Sequence, residues 1–346
     1  MINIFGLFLP EIEEICLENG IEKYRAKQII QWLYKDNVDN FNDMINLPLA
    51  VRTKLTQTCC INKPILQDKL ISKDKKTIKF LFMFGDGNTV ETVLMRQSYG
   101  NSVCVSTQVG CNMGCTFCAS TLNGLVRNLT VGEIFAQTFY IDKLLHENYN
   151  EKINSIVIMG SGEPLANYDN VLKFVKLCHE SYTFNLSYRS IALSTAGLVP
   201  LIDKLADEEI PITLSISLHA SNDDIRSSLM PINKHYNIAD IIKASKNYIA
   251  KTNRRVTYEY ILIKDLNDQI THAKELAGLL KGILSNVNLI PINPIIEKGF
   301  ERPCNQQIKL FYETLQKYNI NATLRREMGV DIQAACGQLR NKHLLK

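Results

Sequence analysis

From Val103 to Ile292 the chain alternates between two hydrophobic periods, and no other feature of the sequence restricts its fold so tightly. Short apolar runs at 103–107, 154–159, 189–194, 211–218, 255–263 and 287–292 read as strands. Helical spacing fills the intervals: 130–146, where Ile134, Thr138, Ile141 and Leu145 form one stripe, then 171–179, 198–208, 238–251 and 272–284. Repeated β-α units predict a parallel sheet whose strands are apolar because helices cover it. The expected fold class is therefore α/β, a partial (β/α)6 barrel. In barrels of this kind the working groups follow the carboxyl ends of the strands.

The densest chemistry follows the first of these strands. Cys111-Asn-Met-Gly-Cys115-Thr-Phe-Cys118 brings three thiols within eight residues, close enough in a loop to hold three corners of one iron–sulfur cluster. No fourth Cys lies nearby, whereas a structural zinc site takes four closed ligands, usually from paired hooks. An incomplete cage leaves one iron of a 4Fe-4S cluster free for a small molecule, the arrangement that radical S-adenosylmethionine (SAM) enzymes use. A reading of another class also stands, a non-catalytic RNA-binding protein stabilised by zinc with His219 or a distant Cys as fourth ligand.

Further strand ends are polar. Gly160-Ser-Gly162-Glu163-Pro164 combines glycines that permit close backbone approach with an acceptor for an ammonium group. Ser194-Thr-Ala-Gly197, Ser217-Leu-His-Ala220 and Pro291-Ile-Asn-Pro294 end later strands. Each alone reads as an ordinary turn or cap. Four at the same end of one barrel indicate a site.

The remaining chain frames this barrel. Residues 1–62 read as a small helical domain, with Ala26, Ile29, Ile30 and Leu33 on one face of a helix over 24–35 and a short helix at 50–57. Residues 63–98 read as a β-hairpin linker: runs at 77–84 and 89–95 flank Gly85-Asp-Gly-Asn88. Glu91 lies in its second arm and by pattern alone is an exposed strand carboxylate. The barrel is expected over 99–300. A C-terminal extension over 301–346 holds a helix at 305–318, an edge strand at 323–326 and Ala334-Ala-Cys336-Gly-Gln-Leu339, where spacing does not separate an inert buried Cys from a working one.

A net charge of +4 is compatible with an RNA partner without requiring one. No apolar run is long enough to span a bilayer and the start lacks a basic signal-peptide region, so a cytoplasmic protein without membrane contact is expected. Ten Cys, diluted and partly clustered in 346 residues, point to a reducing compartment and metal or catalytic use. The sequence assigns no role to Cys16, Cys59, Cys60, Cys178 and Cys304.

Read together, Cys104-Val-Ser-Thr-Gln-Val-Gly-Cys111 with Cys115 and Cys118, Gly160-Ser-Gly-Glu-Pro-Leu-Ala-Asn167, Ser217-Leu-His-Ala220, Leu229-Met-Pro-Ile-Asn233 and Ala334-Ala-Cys-Gly-Gln-Leu339 resemble one family over nearly the whole chain. It is the radical SAM adenine-C2 methyltransferases of 23S rRNA and tRNA, the dual-specificity RlmN family. The resemblance implies a 4Fe-4S cluster on Cys111, Cys115 and Cys118, and a SAM site formed by Gly162, Glu163, Ser194, Ser217, Leu218, His219 and Asn293. It makes Glu91 the proton acceptor, Cys336 the methylated carrier and Cys104 its transient disulfide partner. Two SAM molecules per turnover, an electron donor such as flavodoxin or ferredoxin, and a monomer are also implied.

In the implied mechanism Cys336 takes a methyl group from one SAM. A second SAM is reductively cleaved, its radical removes hydrogen from the S-methyl group, and the carbon radical adds to adenine. Glu91 and Cys104 then release the product and leave a disulfide for cellular thiols to reduce. The target adenine must leave its stack. Arg25, Lys27 and Lys35 in the helical domain, with Lys73, Lys75 and Lys76 before the hairpin, are candidate phosphate contacts. One departure is visible: Ser161 stands where the family usually has Met. A sister family methylates carbon 8 and confers antibiotic resistance. It tends to carry Ala where Pro164 stands here, so carbon 8 is the alternative activity.

Overall fold

The computed structural model describes residues 1–293, 298–326 and 328–339. The chain begins with β1 (Ile2–Asn3), α1 (Leu9–Glu18), α2 (Arg25–Tyr34), α3 (Leu49–Thr58) and β2 (Cys59–Cys60). Pro10 sits in the first turn of α1, where an absent N–H loses no helical bond. The stripe of α2 is buried as its period predicts, from Ala26 through Leu33 to Tyr34. β1 and β2 pair in parallel and tie the start of this unit to its end.

Next come β3 (Ile65–Ile71), β4 (Thr77–Met83), β5 (Thr89–Gln97), β6 (Gly100–Cys104), β7 (Gln108–Gly110) and β8 (Leu125–Asn128). The helix α4 (Val131–Tyr149) opens with a capping box, Thr130 Oγ accepting from Glu133 N while Glu133 reaches back to the Thr130 amide. The repeat continues with β9 (Ile153–Ile158), α5 (Tyr168–His179), β10 (Ile191–Thr195), α6 (Val199–Asp207), β11 (Thr213–Ser217), α7 (Asp223–Leu229), α8 (Ile238–Thr252), β12 (Val256–Leu262), α9 (Ile270–Leu280) and β13 (Ser285–Pro291). After it come α10 (Asn305–Lys317) and β14 (Ala322–Leu324). The seven-residue α7, capped by Asn222, is too short to show a period and was not expected.

One ten-stranded sheet runs β14-β13-β12-β11-β10-β9-β6-β5-β4-β3. Neighbours β6, β9, β10, β11, β12 and β13 are all parallel, which is the predicted (β/α)6 repeat. β14 adds a parallel strand at one edge. At the other edge β6 continues antiparallel into β5, β4 and β3, so the predicted hairpin gains a strand and extends the barrel sheet. Its turn closes through Gly87, at φ +81°, and the Phe84–Asn88 backbone bonds. Among the described residues no helix is long and apolar enough to cross a membrane.

The amino-terminal helices share a core with the barrel. Phe5 packs 5.7 Å from Phe135 and 5.5 Å from Phe139, ring centre to ring centre, and Tyr34 closes the cluster 5.5 Å from Phe135. Gly6, at φ +96°, lies so close to α4 that an added Cβ would stand 2.5 Å from Gly132 Cα. Gly6→Ala should therefore lower stability by about 1–3 kcal/mol through overpacking and left-handed backbone. Urea unfolding monitored by circular dichroism checks this, and an unchanged midpoint would mean that the two glycines do not touch.

Candidate functional site

The end of β9 is clamped before it reaches any ligand. An added Cβ on Gly160 would meet Val105 O at 2.5 Å, and one on Gly162, at φ +106°, would meet Gln108 Cβ at 2.6 Å. The glycines do permit close approach, as the sequence suggests, but the approaching chain is the protein's own. Ser161 O accepts from Thr107 N at 2.9 Å and Gln108 N at 3.2 Å, and Ser161 N donates to Ser106 Oγ at 2.9 Å. These clamps use backbone atoms, so the unusual side chain at 161 leaves them intact.

Glu163 is held at the junction of two strand ends. Its amide donates to Gln108 Oε1 at 2.8 Å, while its carboxylate accepts from Leu165 N at 3.0 Å and Ala196 N at 2.6 Å. Burial raises its pKa, and bonds from Ala196, Thr195 and Leu165 work against that rise. Beside it, Arg226 is wholly buried and donates to Ala196 O at 2.8 Å, Ser217 O at 3.2 Å and Asn233 Oδ1 at 2.7 Å. Burial brings its pKa down to about 10. The guanidinium thus joins the ends of β10 and β11 to the Leu229–Asn233 motif.

That motif also supports the cysteine loop. Leu229 and Met230 pack with Cys115 and Phe117, and Leu229 O accepts from Thr116 N at 2.9 Å. Cys111, Cys115 and Cys118 then line one cavity of about 150 Å3 together with Gly162, Glu163, Ser194, Ser217 and His219. Burial raises all three thiol pKa values, that of Cys111 to about 12. Binding to iron would reverse this, since a coordinating thiol is deprotonated outright. An all-sulfur donor set from one loop, facing a buried carboxylate across a small cavity, fits a three-Cys cluster with an open iron. The zinc reading needs four closed donors. Among the described residues no three His, Cys, Asp or Glu side chains are gathered tightly enough for a single ion, the three thiols included; what sets the zinc reading apart is the fourth donor, and His219 has its Nδ1 committed to Ile261 N.

His219 is a fixed neutral donor. At φ +58° its Nδ1 accepts from Ile261 N at 3.0 Å, which leaves the proton on Nε2. Phe117 stands edge-on to the ring at 4.8 Å. Burial, with Arg226 nearby, brings the imidazole pKa down to about 3. Leu218 is fully buried and does not line this cavity, its amide donating to Glu259 O at 3.1 Å. Asn293 lines the neighbouring cavity, while Pro294 of the same motif lies outside the described residues.

That neighbouring cavity, of about 380 Å3, contains Cys104, and Cys336 lines both. Arg325 also faces both, 3.8 Å from Glu259 Oε2. Its pKa is raised chiefly by Cys336, with Glu259 and Cys104 adding to the effect. Burial brings the Cys104 pKa up to about 12. Glu91 is not an exposed strand carboxylate. It is buried and ion-paired with Lys79 at 2.8 Å, two residues before the cavity-lining Val93 and so on the same sheet face. Lys79 Nζ further donates to Gln333 O at 3.1 Å.

Four contributors were missed from sequence: Lys79, Arg226, Glu259 and Arg325. Lys79 left a signal, as a cation within an otherwise apolar strand run, Thr77-Ile-Lys-Phe-Leu-Phe-Met83. Arg325 left none, since Arg on an edge strand is ordinary.

The chain is similar to known proteins over almost its whole length. A family model described as the Radical SAM superfamily matches residues 105–277, and one described as the ribosomal RNA large subunit methyltransferase N-terminal domain matches residues 2–61. Relatives from Clostridium tetani and Clostridium perfringens, each named "Probable dual-specificity RNA methyltransferase RlmN", are 49% and 50% identical over 344 residues. The alignments cover 99% of this chain and 97% and 98% of those proteins. The chain belongs to the RlmN family. A crystal structure of a radical SAM methyltransferase from Sphaerobacter thermophilus superposes with a TM-score of 0.94 at 43% identity, covering 99% of this chain and all of that one. Within this RlmN-family chain, Glu91, Cys104 and Cys336 lie outside both matched segments, whereas the cysteine loop and the Glu163 clamp lie inside the Radical SAM match.

The buried neutral imidazole predicts an acid-sensitive fold. Its folded pKa of about 3 lies below the unfolded value of about 6.5, so the unfolded chain binds more protons between them and stability falls as pH drops through that window. His219→Asn, which retains an acceptor for Ile261 N, should show a shallower loss of stability between about pH 6.5 and 4. Chemical denaturation across that range would reveal it, and identical slopes would refute it.

Proposed function

We propose that the chain methylates carbon 2 of adenine in RNA, with 23S rRNA and tRNA as substrates and Cys336 as methyl carrier. One observation carries the reading: Cys336 faces the three-Cys cavity on one side and the Cys104 cavity on the other. A thiol in that position can receive a methyl group from one chamber and present it to a base in the next.

Cys111, Cys115 and Cys118 would hold a 4Fe-4S cluster, which together with SAM would supply the electron and the radical that activate an otherwise inert methyl group. Glu163 receives the SAM ammonium group, Gly162 offers backbone, Ser194, Ser217 and His219 Nε2–H offer donors, and Asn293 closes the wall toward the base. In the first transfer a Cys336 S–C bond forms as the sulfonium S–CH3 bond breaks, and S-adenosylhomocysteine departs. Arg325, which lines the same two cavities as Cys336, places a cation beside the transfer.

The second cavity is large enough for a small ligand and receives the unstacked adenine. Glu91, on the face that carries Val93, takes the ring proton. Cys104 then attacks the Cys336 sulfur. The S–S bond forms as the S–CH2 bond breaks, its electron pair passing to the methylene already joined to carbon 2, which takes up a proton and remains there as the methyl group; cellular thiols return the disulfide to two thiols. We propose the divisions 1–62, 63–98, 99–300 and 301–346 as RNA-contact, base, cofactor and methyl-carrier units, in a cytoplasmic monomer served by a flavodoxin- or ferredoxin-like donor.

Unmodified RNA incubated with protein, SAM and reductant should yield 2-methyladenosine on nucleoside analysis; 8-methyladenosine would assign the chain to the sister activity instead. Cys115→Ala should lose iron and SAM cleavage together. The two remaining thiols separate cleanly. Cys336→Ala should give neither product nor protein–RNA adduct, while Cys104→Ala should stall with RNA attached, seen as a slow band on a denaturing gel that ribonuclease removes. Normal turnover by Cys104→Ala, or a trapped adduct from Cys336→Ala, would overturn these roles.

A further inference from the structure

A groove of about 990 Å3 opens beside the Cys104 cavity and shares Gln97, Tyr99, Arg326 and Met328 with it. Its walls carry five cations, Lys75, Lys76, Arg96, Lys152 and Arg326, against two carboxylates, Asp74 and Glu151. Arg96 is steered by Glu151 at 2.8 Å and by the Tyr149 ring, 4.3 Å from its guanidinium carbon. Among the described residues the other four cations make no salt bridge, and all four are exposed. Unpaired cations gathered in one groove point to a polyanion.

Tyr99 stands where groove and cavity meet, 73% exposed. Its turn is rigidly built: Gly100, at φ +128°, has Asn154 Oδ1 2.4 Å from where a Cβ would lie, and that oxygen accepts from Asn101 N at 2.8 Å. The backbone there is fixed, and the exposed phenol ring lies at the lip of the base cavity rather than buried for packing. An aromatic face next to a cationic track is how sequence-tolerant sites hold single-stranded nucleic acid.

We propose that this groove binds the sugar-phosphate backbone beside the target adenine and that Tyr99 stacks a neighbouring unpaired base as the target enters the Cys104 cavity. The inference rests on the RNA-methyltransferase reading and specifies which surface of the chain meets RNA. It places the phosphate contacts nearest the target adenine in this groove, and leaves Arg25, Lys27 and Lys35 of the 1–62 unit for contacts farther along the RNA. Of these, Arg25 Nε is bonded to Glu22 at 2.8 Å and Lys35 Nζ to Thr183 O at 3.3 Å.

The test uses the intact, cluster-loaded protein and a fluorescein-labelled stem–loop RNA with unpaired adenines, read by anisotropy over a salt series. Replacing Lys75, Lys76, Lys152 and Arg326 with Gln should lower the slope of log affinity against log salt by about three units, at roughly 0.7 for each phosphate no longer neutralised. Tyr99→Ala should weaken binding about five- to hundredfold with the slope unchanged, and Tyr99→Phe should restore it. Iron content and thermal unfolding check that each variant is folded. An unchanged slope in the Gln variant, a slope decrease that follows Arg25, Lys27 and Lys35 instead, or full affinity in Tyr99→Ala would overturn the proposal. Product analysis on the wild-type protein is read separately, so a failed methylation reading and a misplaced groove give different results.

Discussion

The site depends on how the segment from Gly329 to Leu339 is held across the end of the barrel. It lacks strand or α-helix structure, so its position comes from bonds to its neighbours. On one side Asp331 accepts from Lys73 N at 2.8 Å and Gln333 O from Lys79 Nζ at 3.1 Å, both in the β3–β4 region. On the other, Gly337 O accepts from Ala119 N at 2.7 Å and Leu339 O from Ser120 Oγ at 2.8 Å, immediately after Cys118. Cys336 lies between these anchors. A residue on a long free loop would spend little time between two chambers, whereas one tethered on both flanks keeps its sulfur at their common wall.

The same logic explains the buried charge behind the wall. Isolated ions at these positions would be expelled or neutralised. Here each meets several fixed partners: Glu163 has two backbone amides, Arg226 has two strand-end carbonyls and an Asn, and Lys79 has both Glu91 and a carbonyl. Buried pairs of this kind are weak evidence for stability. Their use here is positional, because each fastens one strand end or loop to the next. The Lys79–Glu91 pair joins neighbouring strands, and through Gln333 it also reaches the segment that carries Cys336.

Much of this was legible in the sequence because period and spacing are local properties. The alternation from Val103 predicted six parallel strands and the helices between them, and the three-Cys loop marked one end of the barrel. What local pattern does not contain is which distant segments meet. β4 and β5 read as a hairpin, and only the pairing of β5 with β6 puts Glu91 in the barrel sheet and Cys104 opposite Val93. The Gly-Ser-Gly-Glu turn read as a ligand cradle, but its glycines make room for Val105 and Gln108. Arg226 and Arg325 read as ordinary charges because their partners lie on other strands.

The two non-cluster thiols show where structure adds chemistry to pattern. In sequence Cys104 and Cys336 are isolated residues in small-residue surroundings. In the fold they differ in what surrounds them. Cys104 sits in the sheet between Val93 and Val157, its thiol pKa raised by burial to about 12 and its access limited to one cavity. Cys336 sits on the tethered segment, reaches both cavities, and is the foremost influence on the Arg325 cation. In the proposed reaction, a thiol that reacts first, with a cationic sulfonium, benefits from open access. One that must wait until the base is attached benefits from staying protonated and enclosed. The asymmetry of burial therefore matches the proposed order of events, with Cys336 open to both cavities and the apolar strand walls holding Cys104 in reserve.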